Sequence, residues 1–276
     1  MTLPPFHVHL DVALVLGGLA VAYVWAVRRR ALSTGEPVDR RRAALFLGGM
    51  GALVAGASWP LHDLAEGYLY SMHMVQHMLF TFLGAPLLLV GTPPWMWRAL
   101  LRPRWLRAAW ALLTRPLVAL IVANGVLLLT HWPEVVTLSV RSEPAHFALH
   151  VLLVGSAVVM WWPVLSPLAE LPALSPPGQM LYLFFQSLAP TIPASFLTFG
   201  TEPLYQVYAA FPRIWGLDPL TDQLVAGLVM KLVGGAILWV VIAVVFFRWA
   251  NEERSEGWDA LKFRNVEREL RAGMRR

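Results

Sequence analysis

The chain has 276 residues, of which 57% are hydrophobic and 14% charged, with a mean hydropathy of +0.57, and this is too apolar for a soluble protein that must cover its surface with polar groups. A hydrocarbon core about 30 Å thick takes roughly 20 apolar residues per helix, so the length accommodates several spans joined by short loops and excludes a large soluble domain. The net charge of +5 is no nucleic-acid footprint, because the basic residues are scattered among loops. The absence of cysteine excludes disulfides, thiolate sites and iron–sulfur clusters and leaves His, Met, carboxylate and carbonyl as the available ligands.

Apolar runs lie at residues 10–27, 44–61, 71–91, 116–133, 145–165, 179–199 and 222–247, each near the length a spanning helix requires. The first is read as a retained anchor, not a cleavable signal, because no cationic segment precedes it and Arg28, Arg29 and Arg30 follow it. Lys and Arg alternate between the connecting segments: six in residues 28–43, five in 92–115 and eight from Arg248 onward, against only Arg141 and Arg213 on the opposite side. Basic residues near helix ends are retained in the cytoplasm. The expected fold is therefore all-α, a polytopic membrane protein with seven transmembrane helices over residues 1–250, N-out and C-in. A cytoplasmic charged amphipathic tail over 251–276 follows, with Trp258, Leu261, Val266 and Leu270 at helical spacing. Trp95, Trp97, Trp161 and Trp162 fall at predicted inner helix ends and Trp59 and Trp132 at outer ends, where amphipathic rings settle at the headgroup level. Pro190 and Pro193 interrupt the sixth run and predict a kink.

All eight histidines fall on the outer side of this topology or in the outer halves of its spans. His7 and His9 precede the first span, His62 ends the second beside Asp63, His73 and His77 open the third, His131 ends the fourth, and His146 and His150 open the fifth. Two pairs, His73/His77 in SMHMVQHM and His146/His150 in PAHFALH, have i, i+4 spacing, which stacks both rings on one helix face within reach of a single ion. Neither pair has the Glu that follows the first His in zinc peptidases, so the reading is binding rather than hydrolysis. Met72, Met74 and Met78 flank the first pair, and thioether beside imidazole suits copper better than magnesium, calcium or structural zinc. The core of a copper site is assigned to His73, His77, His146 and His150, with His131 and Met72 or Met74 as further ligands and His7 and His9 as accessories. The competing account is that histidines in a helix bundle hydrogen-bond neighbouring helices and methionines fill gaps in packing.

The seventh run opens with DQLVAGLVMK, placing Asp222 and Gln223 near the outer surface and Met230 two turns deeper on a similar face. Lys231 lies about 13 to 14 Å along that helix, close to mid-membrane, where a cation costs several kcal/mol unless solvated, paired or neutral.

At these residues the sequence resembles the multispan CtaG family of cytochrome c oxidase assembly factors. The resemblance covers nearly the whole membrane region and is carried by SMHMVQHMLFTFLGAPLLLVGTPPW, THWPEV, PAHFALH, MWWPVLSP, QMLYLFFQSLAPTIPASFLTF, PLYQVY and DPLTDQLVAGLVM. It implies functional positions at His73, His77, His131, His146, His150, Asp222, Gln223 and Met230. It also implies a non-enzymatic protein of the bacterial plasma membrane that serves a haem-copper oxidase by handling copper, with oxidase subunits, a copper chaperone and membrane lipid as partners and no nucleic acid. The chain departs from the family where Lys231 stands in place of a Trp after the methionine of the last span. Two other functions fit the residues alone: a haem-binding electron-transfer protein, with His77 and His150 as axial ligands, and a copper transporter, although no run of Met or His continues into the inner half.

Overall fold

The computed structural model describes the backbone of residues 3–273 and the side chains of residues 3–255, and among the described residues every regular element is helical. Five helices are long and apolar enough to cross a membrane alone: Leu10–Thr34, Tyr70–Gly91, Glu143–Leu165, Pro176–Phe199 and Pro219–Ser255. Two bent pairs are together long and apolar enough for a further crossing each, Arg40–Ala57 with Leu61–Gly67, turned by 40°, and Arg104–Leu113 with Pro116–Thr130, turned by 81°. Counting each bent pair once yields the seven expected spans, here called spans one to seven in chain order. The run expected at 44–61 ends at Ala57 and is followed by the short helix Leu61–Gly67. The run expected at 116–133 is the continuous helix Pro116–Thr130, and Arg104–Leu113 is a separate helix inside the segment 92–115 that the sequence reads as a basic loop. Proline explains the second break, since Pro116 begins its helix and cannot donate to a preceding turn. Pro190 breaks span six as expected, with helices Pro176–Leu188 and Thr191–Phe199 on either side.

Spans two and three pack closely because small residues line their contact. A Cβ on Gly91 would lie 2.3 Å from the Phe46 backbone nitrogen, and one on Gly56 would lie 2.4 Å from the Phe80 ring. Close backbone approach through small residues is the usual way apolar helices associate where water supplies no driving force. At the end that carries the basic loops, Leu89, Leu183, Trp161, Trp162 and Leu238 form one buried core. Trp161 and Trp162 are 3% and 1% exposed, so they do not sit as predicted at a headgroup interface. Their indole nitrogens donate to the carbonyls of Thr81 and Leu171, which ties the ring's one polar atom inside the bundle. Trp132, by contrast, is exposed. At the histidine end a second core joins Tyr70, Met74, Leu197, Tyr205, Tyr208 and Met230.

Spans three and seven each contain a turn of π-helix, Leu79–Gly84 and Val229–Val233, directly after His77 with Met78 and around Met230 with Lys231. Such turns insert an extra residue and swing the following face of the helix. Span seven continues as one helix, Gly234–Gly273, into the charged tail. The amphipathic face read from Trp258, Leu261, Val266 and Leu270 lies outside the residues with described side chains.

Candidate metal centre

The histidine end is organised by a buried carboxylate. Asp222, at 1% exposure, accepts hydrogen bonds from the backbone amides of Tyr70 at 2.7 Å and Ser71 at 3.0 Å. These are orphan donors at the start of span three, where a negative charge is favoured by the helix dipole. Asp222, expected as a ligand, is engaged as a cap from another span and sets the depth of the helix that carries His73 and His77. Gln223 is likewise turned to the loop, its Oε1 accepting from the Leu204 amide.

From that helix the imidazoles form a continuous cluster. The His73 and His77 rings lie 4.3 Å apart and those of His146 and His150 4.0 Å apart, measured between centroids. Across the two spans, His77 is 6.1 Å from His150, and His73 is 6.5 Å from His146 and 6.4 Å from His150. His131, at the end of span four, is 5.6 Å from His77. The spacing brings all five expected histidines into one neighbourhood contributed by three spans. The Nδ1 of His73 and the Nε2 of His150 are buried without a hydrogen-bond partner in the protein, a state that costs roughly 1 to 3 kcal/mol per group unless something else occupies it.

The thioether side of the cluster is equally defined. His131 Nδ1 lies 2.7 Å from the Leu127 carbonyl, and its Nε2 lies 3.4 Å from Met74 Sδ. Met74 is fully buried and Met230, 2% exposed, belongs to the same apolar core. Met230 also lines a small cavity of about 60 Å³ together with His77, His131, Gln186, Thr191 and Lys231. Met72 is only partly buried, and as the immediate neighbour of His73 it projects about 100° round the helix from that ring. Lys231 is exposed and shares the lining of that cavity with polar residues of spans three to six, among them Thr81, Ser156 and Ser187.

Several residues of the site escaped the sequence reading. Tyr205 and Tyr208, from the loop after span six, donate to the carbonyls of His131 at 2.9 Å and Ala65 at 2.7 Å and so fasten that loop over the cluster. Glu66 places its carboxylate between two imidazoles, 2.7 Å from His146 Nε2 and 3.2 Å from His62 Nε2. Its signal was present: His62 and Glu66 have the same i, i+4 spacing that marks the two histidine pairs. His9 reaches Asp63 at 3.0 Å and lies 4.5 Å from the His62 ring, so the histidine series extends from the N-terminal segment to the core. A cleft of about 810 Å³ between spans one, two, three and five runs along this series, with His9, His62, Glu66, His146 and His150 at one end and Thr92 and Trp97 at the other.

The fold and this cluster define a polytopic helical protein of the membrane type that gathers buried imidazole and thioether groups at one end. The chain belongs to the family of cytochrome c oxidase caa3 assembly factors (Caa3_CtaG), whose pattern matches residues 21–252. Neither the curated proteins nor the solved structures compared with the chain contain a match.

Proposed function

We propose that this chain is a copper carrier of oxidase assembly. It holds copper as cargo among His73, His77, His131, His150 and Met74, with His146 and Met230 bordering the site, and releases it to a metal centre of a haem-copper oxidase. The observation that carries the reading is the facing pair His131 Nε2 and Met74 Sδ at 3.4 Å. A metal with bonds of about 2.0 Å to nitrogen and about 2.3 Å to sulfur spans that separation at a near-tetrahedral angle. Thioether with imidazole is a donor set that favours copper, above all Cu(I), over hard cations. The free ring nitrogens of His73 and His150 supply further donors within the same cluster. Nothing in this role requires turnover of a substrate, and we take the protein to act as a metallochaperone, not an enzyme. Its partners on this reading are oxidase subunits and a copper donor protein. Its place is the bacterial plasma membrane, N-terminus and histidines outside, basic loops inside.

The test is to replace His77 and His150 by alanine, singly and together, and to measure oxidase activity and copper content in membranes, with the abundance of each variant followed by immunoblot. The variants are expected to insert at normal level and to lose oxidase maturation, as gene loss would. Elemental analysis of purified protein should find copper in the wild type and less in each variant. Full oxidase activity in the double variant would leave only a scaffold role for the assembling oxidase.

A further inference from the structure

We infer that the outer part of the histidine series is a second metal site, built on Glu66 and His146 with His62 as its support, which takes a divalent cation of the Zn²⁺ or Cu²⁺ kind and is separate from the thioether site beneath it. Ligand atoms of His62, Glu66 and His146 all lie within 4.8 Å of one another, close to the span of one ion with bonds near 2 Å, so only a small contraction is needed. His146 has a side chain 8% exposed, and its Nδ1 is held by Ser139 Oγ at 3.0 Å. That contact fixes the ring by one nitrogen and turns the other toward Glu66, the arrangement by which outer partners orient imidazole ligands. Glu66 Oε1 is 2.7 Å away, and His146 Nε2 is buried with no other partner in the protein. A buried imidazole nitrogen and a carboxylate oxygen 2.7 Å apart can share one cation with bonds near 2 Å, the metal taking the place of the imidazole proton.

His62 has a different part. Gln76 Nε2 donates to the Gly56 carbonyl at 2.9 Å and meets His62 Nδ1 at 3.2 Å, so the His62 proton sits on Nε2 and faces Glu66 Oε2. His62 thereby steadies the carboxylate while Glu66 and His146 offer lone pairs. Two protein ligands leave the remaining positions of the ion to water, which the adjoining cleft admits, its walls carrying Asp11, Glu66 and Glu143 at this end. A site with open positions suits an ion that moves on. The chemistry also separates the two sites. Carboxylate and imidazole without sulfur suit borderline divalent ions, whereas imidazole with Met74 suits Cu(I).

The experiment titrates the purified full-length protein in detergent, first stripped with a chelator, with Zn²⁺ by calorimetry and separately with Cu(I) by competition against a chromophoric chelator. Glu66→Gln, nearly isosteric, is expected to weaken Zn²⁺ binding at least tenfold and to leave Cu(I) affinity within about threefold of wild type. His146→Gln should weaken Zn²⁺ to a similar degree and stands in should Glu66→Gln fail to elute as a folded, monodisperse species. A variant lacking both N-terminal imidazoles, His7→Ala with His9→Ala, should retain the Zn²⁺ site. Unchanged Zn²⁺ affinity in folded Glu66→Gln and His146→Gln protein overturns the inference, and so does parallel loss of Zn²⁺ and Cu(I) in Glu66→Gln, which would mean one site only. Should the wild type bind Zn²⁺ in a Glu66-dependent way and never bind Cu(I), this site stands and the copper reading falls.

Discussion

His131 Nε2 and Met74 Sδ face each other at 3.4 Å while the opposite nitrogen of the ring is 2.7 Å from the Leu127 carbonyl. A carbonyl only accepts, so Nδ1 carries the proton and Nε2 presents a lone pair to a thioether sulfur that has no proton to donate. Two acceptors are thereby held in contact where Met74 is fully buried and water does not separate them. The proposed copper site requires a pair of this geometry.

Met74→Leu tests that pair with little change of volume. It is expected to lower Cu(I) affinity at least tenfold, about 1.4 kcal/mol, while stability changes by less than about 1.5 kcal/mol because Leu and Met are near-equivalent in packed cores. Competition against a chromophoric Cu(I) chelator and a thermal melt in detergent read the two quantities. An unaltered Cu(I) affinity would remove the thioether from the site.

Asp222→Ala should act on the scaffold. It deletes the acceptor for the Tyr70 and Ser71 amides, and hydrogen bonds to a charged group contribute about 1.5 to 3 kcal/mol each. A lower melting temperature and reduced abundance are expected, whereas the folded fraction should still bind Cu(I) at saturation. Wild-type stability combined with loss of copper would reassign Asp222 as a ligand.

Gly91→Ala tests the seam between spans two and three, since its new methyl would meet the backbone nitrogen and Cα of Phe46 at 2.3 and 2.6 Å. Backbone cannot rotate away as a side chain can, so the helices must part, and a loss of about 1 to 3 kcal/mol is expected for overpacking of this kind. Gly125→Ala is the control, because nothing lies within 4 Å of its added carbon and alanine is the better helix former. Comparable melting temperatures for the two variants would contradict the tight packing at Gly91.

The membrane orientation is checked with reporter fusions after Gly35, Arg104 and the C-terminus, all of which should report cytoplasm, because the basic residues concentrate there. An outward signal at Arg104 would reverse the assignment.

Some of this protein was decided within short stretches of chain. Span length is a local property, and the apolar runs therefore announced an all-helical bundle. Helical periodicity is local too, so i, i+4 spacing alone placed His73 beside His77 and His146 beside His150. Tertiary structure decided what depends on which faces meet. Asp222 is a bare carboxylate in the sequence, and only the fold brings it to Tyr70 and Ser71, 152 and 151 residues away. Trp161 and Trp162 have the composition of an interfacial belt, yet the carbonyls that satisfy their indoles lie inside the bundle. Glu66 has its i, i+4 partner in His62, but its role depends on His146, 80 positions later in the sequence. Met72 and Met74 both flank His73 in sequence, on opposite sides of the helix, and only the approach of span four selects Met74 by placing His131 against its sulfur. Spacing along one helix is set by its backbone hydrogen bonds, whereas contact between helices is set by glycines, breaks and caps distributed over the whole chain.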